Sequence, residues 1–198
     1  MGRIFCIIGK SSSGKDTIYK KVLKNSALKL KNIVLYTTRP IRAGEQEGVE
    51  YHFTTQTELE RLKNEDKIVE CRSYDTMHGV WHYFMVKDNQ IDLENCNYLI
   101  IGTLQSYVMT RDYFGKDKVI PIFVDIDDGE RLSRALRRER HQDNPKYEEM
   151  CRRFLADSKD FSKENLENAG VDKVFYNNNL KECTGQIVKY IKSFCEIS

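Results

Sequence analysis

Residues 9–17 read GKSSSGKDT and follow directly on the apolar run Ile4, Phe5, Cys6, Ile7 and Ile8. Gly9, Gly14 and Lys15 satisfy the pattern G-x-x-x-x-G-K, and the pattern dictates local structure on both sides of itself. Glycines let backbone N–H groups turn inward toward an anion, and the lysine reaches the outer phosphates of a nucleoside triphosphate. A helix starting at the loop turns the positive end of its dipole on the same anion. Ile18, Val22 and Leu23 follow at helical spacing. On this reading Lys10, Ser11, Ser12 and Ser13 complete an ATP-phosphate cradle. The competing reading is a Ser/Gly-rich connector between a strand and a helix. At average Gly and Lys usage the three fixed positions recur by chance roughly 3 × 10⁻⁴ times per start. Strand-like and helical flanks on the correct sides make the phosphate loop the stronger reading.

The strict motif places Ser or Thr after the lysine, as a Mg²⁺ ligand. Here Asp16 occupies that position and Thr17 follows. Thr17 is the expected phosphate or metal-shell hydroxyl. Asp16 either contacts the metal or faces solvent in the first helical turn, where an acid suits the dipole.

A chain of 198 residues fits one domain, with room for insertions. Lys and Arg total 32 against 30 Asp and Glu. That balance gives no support to nucleic-acid or membrane-surface binding, so each basic cluster must be read locally. Cys6, Cys71, Cys96, Cys151, Cys183 and Cys195 are scattered without a C-x-x-C pair. A reduced, cytoplasmic setting is expected over a disulfide framework. No leader pattern opens the sequence, and no apolar stretch approaches 18 residues, so no membrane span is expected.

Short apolar runs at 4–8, 32–38, 96–101, 119–125 and 174–176 read as strands. Helical patterns at 14–25, 105–113, 129–139, 147–168 and 181–194 lie between them. This alternation predicts an α/β fold, with a parallel sheet covered on both faces. Residues 39–90 break the alternation with strand-like pieces at 51–53, 68–71 and 80–84 and a helical piece at 57–64. They read as a small mixed insertion. Residues 137–147 (RRERHQDNPKY) lack apolar anchors and contain Pro145, so they read as a mobile surface segment.

A second anchor is Thr37-Thr38-Arg39-Pro40-Ile41-Arg42-Ala43-Gly44-Glu45, followed by Gly48, Tyr51 and Phe53. It resembles the guanylate kinase family, whose members carry TTR-x-x-R-x-GE and then G-x-x-Y-x-F. Lys67-Ile68-Val69-Glu70, the Arg-rich run at 131–140 and Arg152-Arg153 extend the resemblance over nearly the whole chain. Some nucleoside monophosphate kinases also lack the hydroxyl after the loop lysine and keep the next threonine. The resemblance implies a three-layer P-loop kinase fold in a single domain, 1–198. Its core would be 1–36, 91–136 and 148–198, with a monophosphate-binding insertion at 37–90 and a lid at 137–147. It implies ATP and Mg²⁺, small-molecule nucleotide partners, a monomer or homodimer, and GMP as the favoured acceptor. A different phosphorylated acceptor, or a binding module with little catalysis, are the alternatives.

The chemistry of the residues agrees. Arg39 and Arg42, three apart in a loop-like stretch, can converge on one phosphate through planar guanidinium forks. Tyr51 adds an O–H donor. A merely solvated face is the competing reading of two arginines. Arg137, Arg138, Arg140, Arg152 and Arg153 form a second basic group. Arginines on a lid can neutralise a moving phosphoryl once both substrates are held. By resemblance Arg153 and either Arg138 or Arg140 take that role; otherwise they belong to a helix surface with ion pairs such as Glu130–Arg134. Asn177 resembles the family's asparagine near adenine, and equally suits a turn after the last strand.

The resemblance breaks at the base-reading positions. Where the family places two hydroxyl residues and two acids, this sequence has Leu35, Val80, Glu70 and Thr103. His78 stands at a tyrosine position beside the monophosphate, and Ile101 stands where an acid supports the metal.

Overall fold

Ile4–Ile8 form strand β1, and all five side chains are buried. Ile4, Cys6 and Ile8 join one core, while Phe5 and Ile7 join another on the opposite face. A strand buried on both faces needs parallel neighbours whose crossover helices cover both sides. The computed structural model, which describes residues 2–76 and 79–195, has that arrangement.

The elements run β1, α1 (Lys15–Leu23), β2 (Leu30–Asn32), β3 (Tyr36–Thr37), β4 (His52–Phe53), α2 (Gln56–Asn64), β5 (Ile68–Thr76), β6 (Gly79–Val86), β7 (Asn97–Gly102), α3 (Leu104–Phe114), β8 (Val119–Asp125), α4 (Asp128–Arg140), α5 (Tyr147–Asp160), α6 (Lys163–Asn168), β9 (Val174–Tyr176) and α7 (Leu180–Cys195). The main sheet is parallel, in the order β2-β7-β1-β8-β9. Ile18 and Val22 of α1 pack with Ile187 and Ile191 of α7 on one face. Leu104 and Tyr107 of α3 pack with Phe161, Ala169 and Val171 on the other. In register, Ile7 of β1 lies beside Ile101 of β7 and Ile122 of β8. The ends of these strands therefore emerge together, just before the loop.

The smaller sheet runs β4-β3-β6-β5, with β5 and β6 antiparallel. Leu59 and Leu62 of α2 cover it by packing on Phe84 and Val86. Thr55 caps α2 by accepting the Glu58 N–H. The six cysteines form no disulfide. Among the described residues, no helix is long and apolar enough to cross a membrane.

Three departures from the boundaries read in the sequence have a visible cause. The apolar run at 32–38 is not one strand. β2 ends at Asn32 in the main sheet, and β3 begins at Tyr36 in the smaller one. The Gln90 side chain bonds both the N–H (2.9 Å) and the C=O (3.4 Å) of Val34, so the crossing backbone is satisfied without a strand partner. The helical pattern at 147–168 is two helices. Ser162 has extended backbone and caps α6 through the Asn165 N–H, while Phe161 stacks on Phe123 at 5.4 Å. The charged segment 137–147 is anchored at both ends. α4 continues to Arg140, and the buried Glu139 carboxylate accepts the Lys146 N–H at 3.1 Å.

Ile7→Ala should lower unfolding stability by about 2–5 kcal/mol, because the fully buried side chain leaves a cavity that the strand on either side cannot fill. Chemical denaturation checks it. A loss under about 1 kcal/mol, as for a surface change, would show that this face of the sheet is loosely packed.

Candidate active site

The loop after β1 is held closer than ordinary side chains allow. A Cβ added to Gly9 would lie 2.4 Å from the Val124 carbonyl oxygen of β8. Gly14 has φ +89° and would place a Cβ 2.3 Å from Asn177 Nδ2, so the left-handed backbone and the close approach both require glycine there. Asn177 Nδ2 donates to the Ser13 carbonyl at 2.8 Å. The Ser11 N–H donates to Asp157 Oδ2 of α5 at 2.7 Å. Ser12 and Ser13 each have a buried hydroxyl oxygen without a hydrogen-bond partner among the described residues. Such groups are costly when left alone. Two hydroxyl donors at the start of a helix fit phosphate oxygens.

Lys15 opens α1, its Nζ 3.6 Å from the Asp16 carboxylate. Asp16 and Thr17 are exposed on the first turn. Lys10 turns to Asp128 (3.4 Å) and Asp125 (3.7 Å), so its amino group is neutralised by acids at the start of α4 and the end of β8. The Asn177 side-chain amide braces the loop, and its Oδ1 is buried without a partner among the described residues.

A cavity of about 690 Å³ opens between the smaller sheet and the end of β7. Its size suits a nucleotide-sized ligand. Arg42, Tyr51, Glu70 and Arg153 line it, with Leu35 and Ile101. Of the two arginines expected to pair as a clamp, Arg39 and Arg42, only Arg42 lines the cavity. Arg39 is only 3% exposed and does not line the cavity. Its Nη1 and Nη2 donate to Glu45 at 2.7 and 2.6 Å, and Nη1 also to the Pro40 carbonyl. Its guanidinium stacks on Tyr51 (5.1 Å) and Phe53 (5.4 Å). Arg42 faces the cavity over Trp81, while its backbone N–H also bonds Glu45. Thr103 is likewise not in this cavity. Its hydroxyl caps α3 through the Ser106 N–H, and the residue lines a separate hollow. Arg138 and Arg140 are exposed on the last turn of α4, outside the lining. Val80 is exposed on β6 and also outside it. His78 lies outside the described residues.

Two charges, one half-buried and one buried, were missed in the sequence. Arg72 of β5 lines the cavity and grips Glu70, with Nε–Oε2 2.9 Å and Nη2–Oε1 3.0 Å. Glu70 is 1% exposed. Burial pushes its carboxyl up, against the opposing pull of Arg72. Arg131, in the run taken as helix surface, is fully buried. It lies 3.8 Å over the Phe154 ring and bonds Asp128 and Ser158, with Asp157 at 3.6 Å. Asp157 also holds the loop at Ser11, so this network ties α4 and α5 to the phosphate loop. The expected Glu130–Arg134 surface pair is present at 2.9 Å.

A family model described as guanylate kinase matches residues 1–194. The chain belongs to the guanylate kinase family. It is similar to guanylate kinases of Schizosaccharomyces pombe (45% identity over 32% of this chain) and Rhodopirellula baltica (38% over 44%). The matched segments span only 32% and 41% of those relatives' lengths. Similarity to the guanylate kinase of Fusobacterium nucleatum is 27% but covers 98% of this chain and 97% of the relative. The crystal structure of guanylate kinase from Anaplasma phagocytophilum superposes with a TM-score of 0.63 at 22% identity, covering 97% of this chain and 85% of that one. That likeness supports the fold: the P-loop kinase core with its mixed second sheet.

The Arg39 hydrogen bonds, then the Arg42 N–H, hold the Glu45 carboxyl down from 4.5 to about 2. A depressed folded-state pKa contributes stability above 4.5, lost as pH falls toward about 2. Thermal melts across that window should fall more steeply for the native chain than for Glu45→Gln. Parallel curves would show that the pair adds nothing to stability.

Proposed function

We propose that this guanylate kinase family member transfers the γ-phosphoryl group of ATP to a nucleoside monophosphate, with GMP as preferred acceptor. One observation carries the reading. The phosphate loop, with its buried unpartnered serine hydroxyls, and a nucleotide-sized cavity lined by Arg42, Tyr51 and Glu70 are joined through one strand pair. The contact point is β7, where Ile101 lines the cavity and pairs with Ile7, two residues before Gly9.

Roles follow from position. The loop N–H groups, the α1 dipole and the Ser12 and Ser13 hydroxyls hold the triphosphate, and Lys15 neutralises its outer end. Asn177 keeps the loop in shape beside the nucleotide. Arg42 and Tyr51 take the acceptor's phosphate. Arg39 works from behind, stacked under Tyr51 and locked by Glu45. Arg153, from the α5 wall, supplies positive charge to the moving phosphoryl. Arg138 or Arg140 joins it when the 141–146 connection closes over the site.

Among the described residues, no group of three or more His, Cys, Asp or Glu forms a metal cage. Mg²⁺ habitually keeps waters and substrate phosphates as most of its ligands, so the single exposed hydroxyl of Thr17 is a sufficient protein contact. Bound there, it would supply charge neutralisation at the phosphates. The reduced cysteines accord with a cytoplasmic protein.

Incubating the protein with ATP–Mg²⁺ and GMP, dGMP, AMP, UMP or CMP, and following ADP, tests the assignment. The fastest turnover is expected with GMP; no ADP above background with any acceptor would refute it. Lys15→Met should keep the circular-dichroism spectrum and lower kcat by at least roughly 10²–10³-fold. Arg42→Ala should cost about 1.5–3 kcal/mol in kcat/KM for the acceptor, the scale of a charged hydrogen bond, with the KM for ATP unmoved. An effect on ATP instead would place Arg42 at the donor.

A further inference from the structure

The buried Glu70–Arg72 pair has no role in the phosphate chemistry, yet both residues line the acceptor cavity. They are two apart on β5, so they share one face of the strand. Leu35, Ile100 and Ile101 give that cavity an apolar wall without donors. The α3 hydroxyls that reach it are already engaged: Ser106 Oγ donates to the Thr103 carbonyl (3.0 Å), and Thr110 Oγ1 to the Ser106 carbonyl (2.7 Å). Arg72 uses Nε and Nη2 on Glu70. Among the described residues its Nη1 has no hydrogen-bond partner.

A carboxylate with a guanidinium beside it presents two adjoining edges of opposite character. One accepts a pair of N–H donors, and the other donates to a pair of acceptors. Guanine is the one common base that offers both in sequence. Its N1–H and N2–H donors adjoin its O6 and N7 acceptors, and the latter pair is the usual target of an arginine fork. Adenine offers an acceptor at N1, which would face the carboxylate unfavourably.

Resting on the reading of this cavity as the acceptor site, we propose that Arg72 is a specificity-determining residue that reads the O6/N7 edge of guanine. The base and the ion pair exchange partners. Guanine N1–H and N2–H take the Glu70 fork that Arg72 now holds, and the released guanidinium turns to O6 and N7. Charge stays balanced, so no isolated buried ion is created. Without a base the same pairing keeps Glu70 from being buried alone.

Equilibrium binding separates this from a purely structural counter-ion. Isothermal titration of the native chain with GMP and with 7-deaza-GMP, which lacks only the N7 acceptor, should show the analogue weaker by roughly tenfold to a hundredfold. 6-Thio-GMP, with a poor acceptor at position 6, should be weakened similarly. Arg72→Met alone leaves Glu70 uncompensated and can unfold. The double variant Glu70→Gln/Arg72→Met keeps the shapes without the charges, and should bind GMP and 7-deaza-GMP with a ratio near one. Equal affinity of the native chain for GMP and 7-deaza-GMP overturns the proposal, as does failure of GMP to bind. If GMP binds with the expected analogue ratio but yields no ADP, phosphoryl transfer is refuted and the base-reading role of Arg72 stands.

Discussion

The close approach of the Gly9–Gly14 backbone to its surroundings governs the rest of the molecule. The loop bonds itself only in part, through the Ser13 N–H to the Lys10 carbonyl at 3.2 Å, and its neighbours hold the rest. Val124 presses on Gly9, Asn177 fixes the Ser13 carbonyl beside Gly14, and Asp157 holds Ser11. These three braces come from the ends of β8 and β9 and from α5. Each depends on the parallel sheet bringing strand ends to one edge, which in turn needs β1 buried on both faces. The Arg131 network extends the constraint outward. With its guanidinium against Phe154, Asp128, Ser158 and Asp157, a shift of α4 against α5 cannot leave the loop unaffected.

Charge does different work in different places. The pairs on α2, such as Lys63–Glu60 at 3.0 Å, are solvated and contribute little. Buried charges are costly to desolvate and are kept in place by several bonds at once. Arg39, Glu70, Arg72 and Arg131 are of this second kind. None makes sense as surface decoration, and each lies within or behind the loop or the acceptor cavity. Arg39 shows the principle most plainly. It sits in the motif as one of two equivalent arginines, but its fork closes on Glu45 and its face lies on two aromatic rings. The effect is to fix Tyr51 and the 39–45 loop, and to leave Arg42, of the two motif arginines, as the one lining the cavity.

Strand positions and the loop were legible because period and glycine placement are local signals. Residues 4–8 and 119–125 emerged with the boundaries expected from their apolar runs. The 32–38 run misled because continuous hydrophobicity does not show where a chain leaves one sheet for another. That information lay in Gln90, more than fifty residues away. The arginines were legible as a group but not one by one. A signal did exist on α4: Arg131, Ala135 and Glu139 recur every four residues and form its buried stripe. A charged residue in line with an alanine on a helix face is a candidate for burial. Arg72 had a similar signal, two residues from Glu70 on one strand face, where an unpaired carboxylate would need a counter-ion.

Ile101 connects the two halves of the site. An apolar residue there, paired with Ile7 at the edge of the loop, brings no negative charge to the phosphates. In the proposed reaction, the electrostatics of transfer rest on cations, Lys15 from the loop and arginines from α5 and the α4 end, rather than on a protein carboxylate that orients metal. Repulsion between a carboxylate and the polyphosphate is avoided, while the positional control such an acid would give over the metal is lost to waters and phosphates. The same apolar wall, continued through Ile100 and Leu35, removes hydrogen-bond donors from that side of the acceptor cavity. On the opposite wall β5 carries Glu70 and Arg72, the pair proposed to read the base.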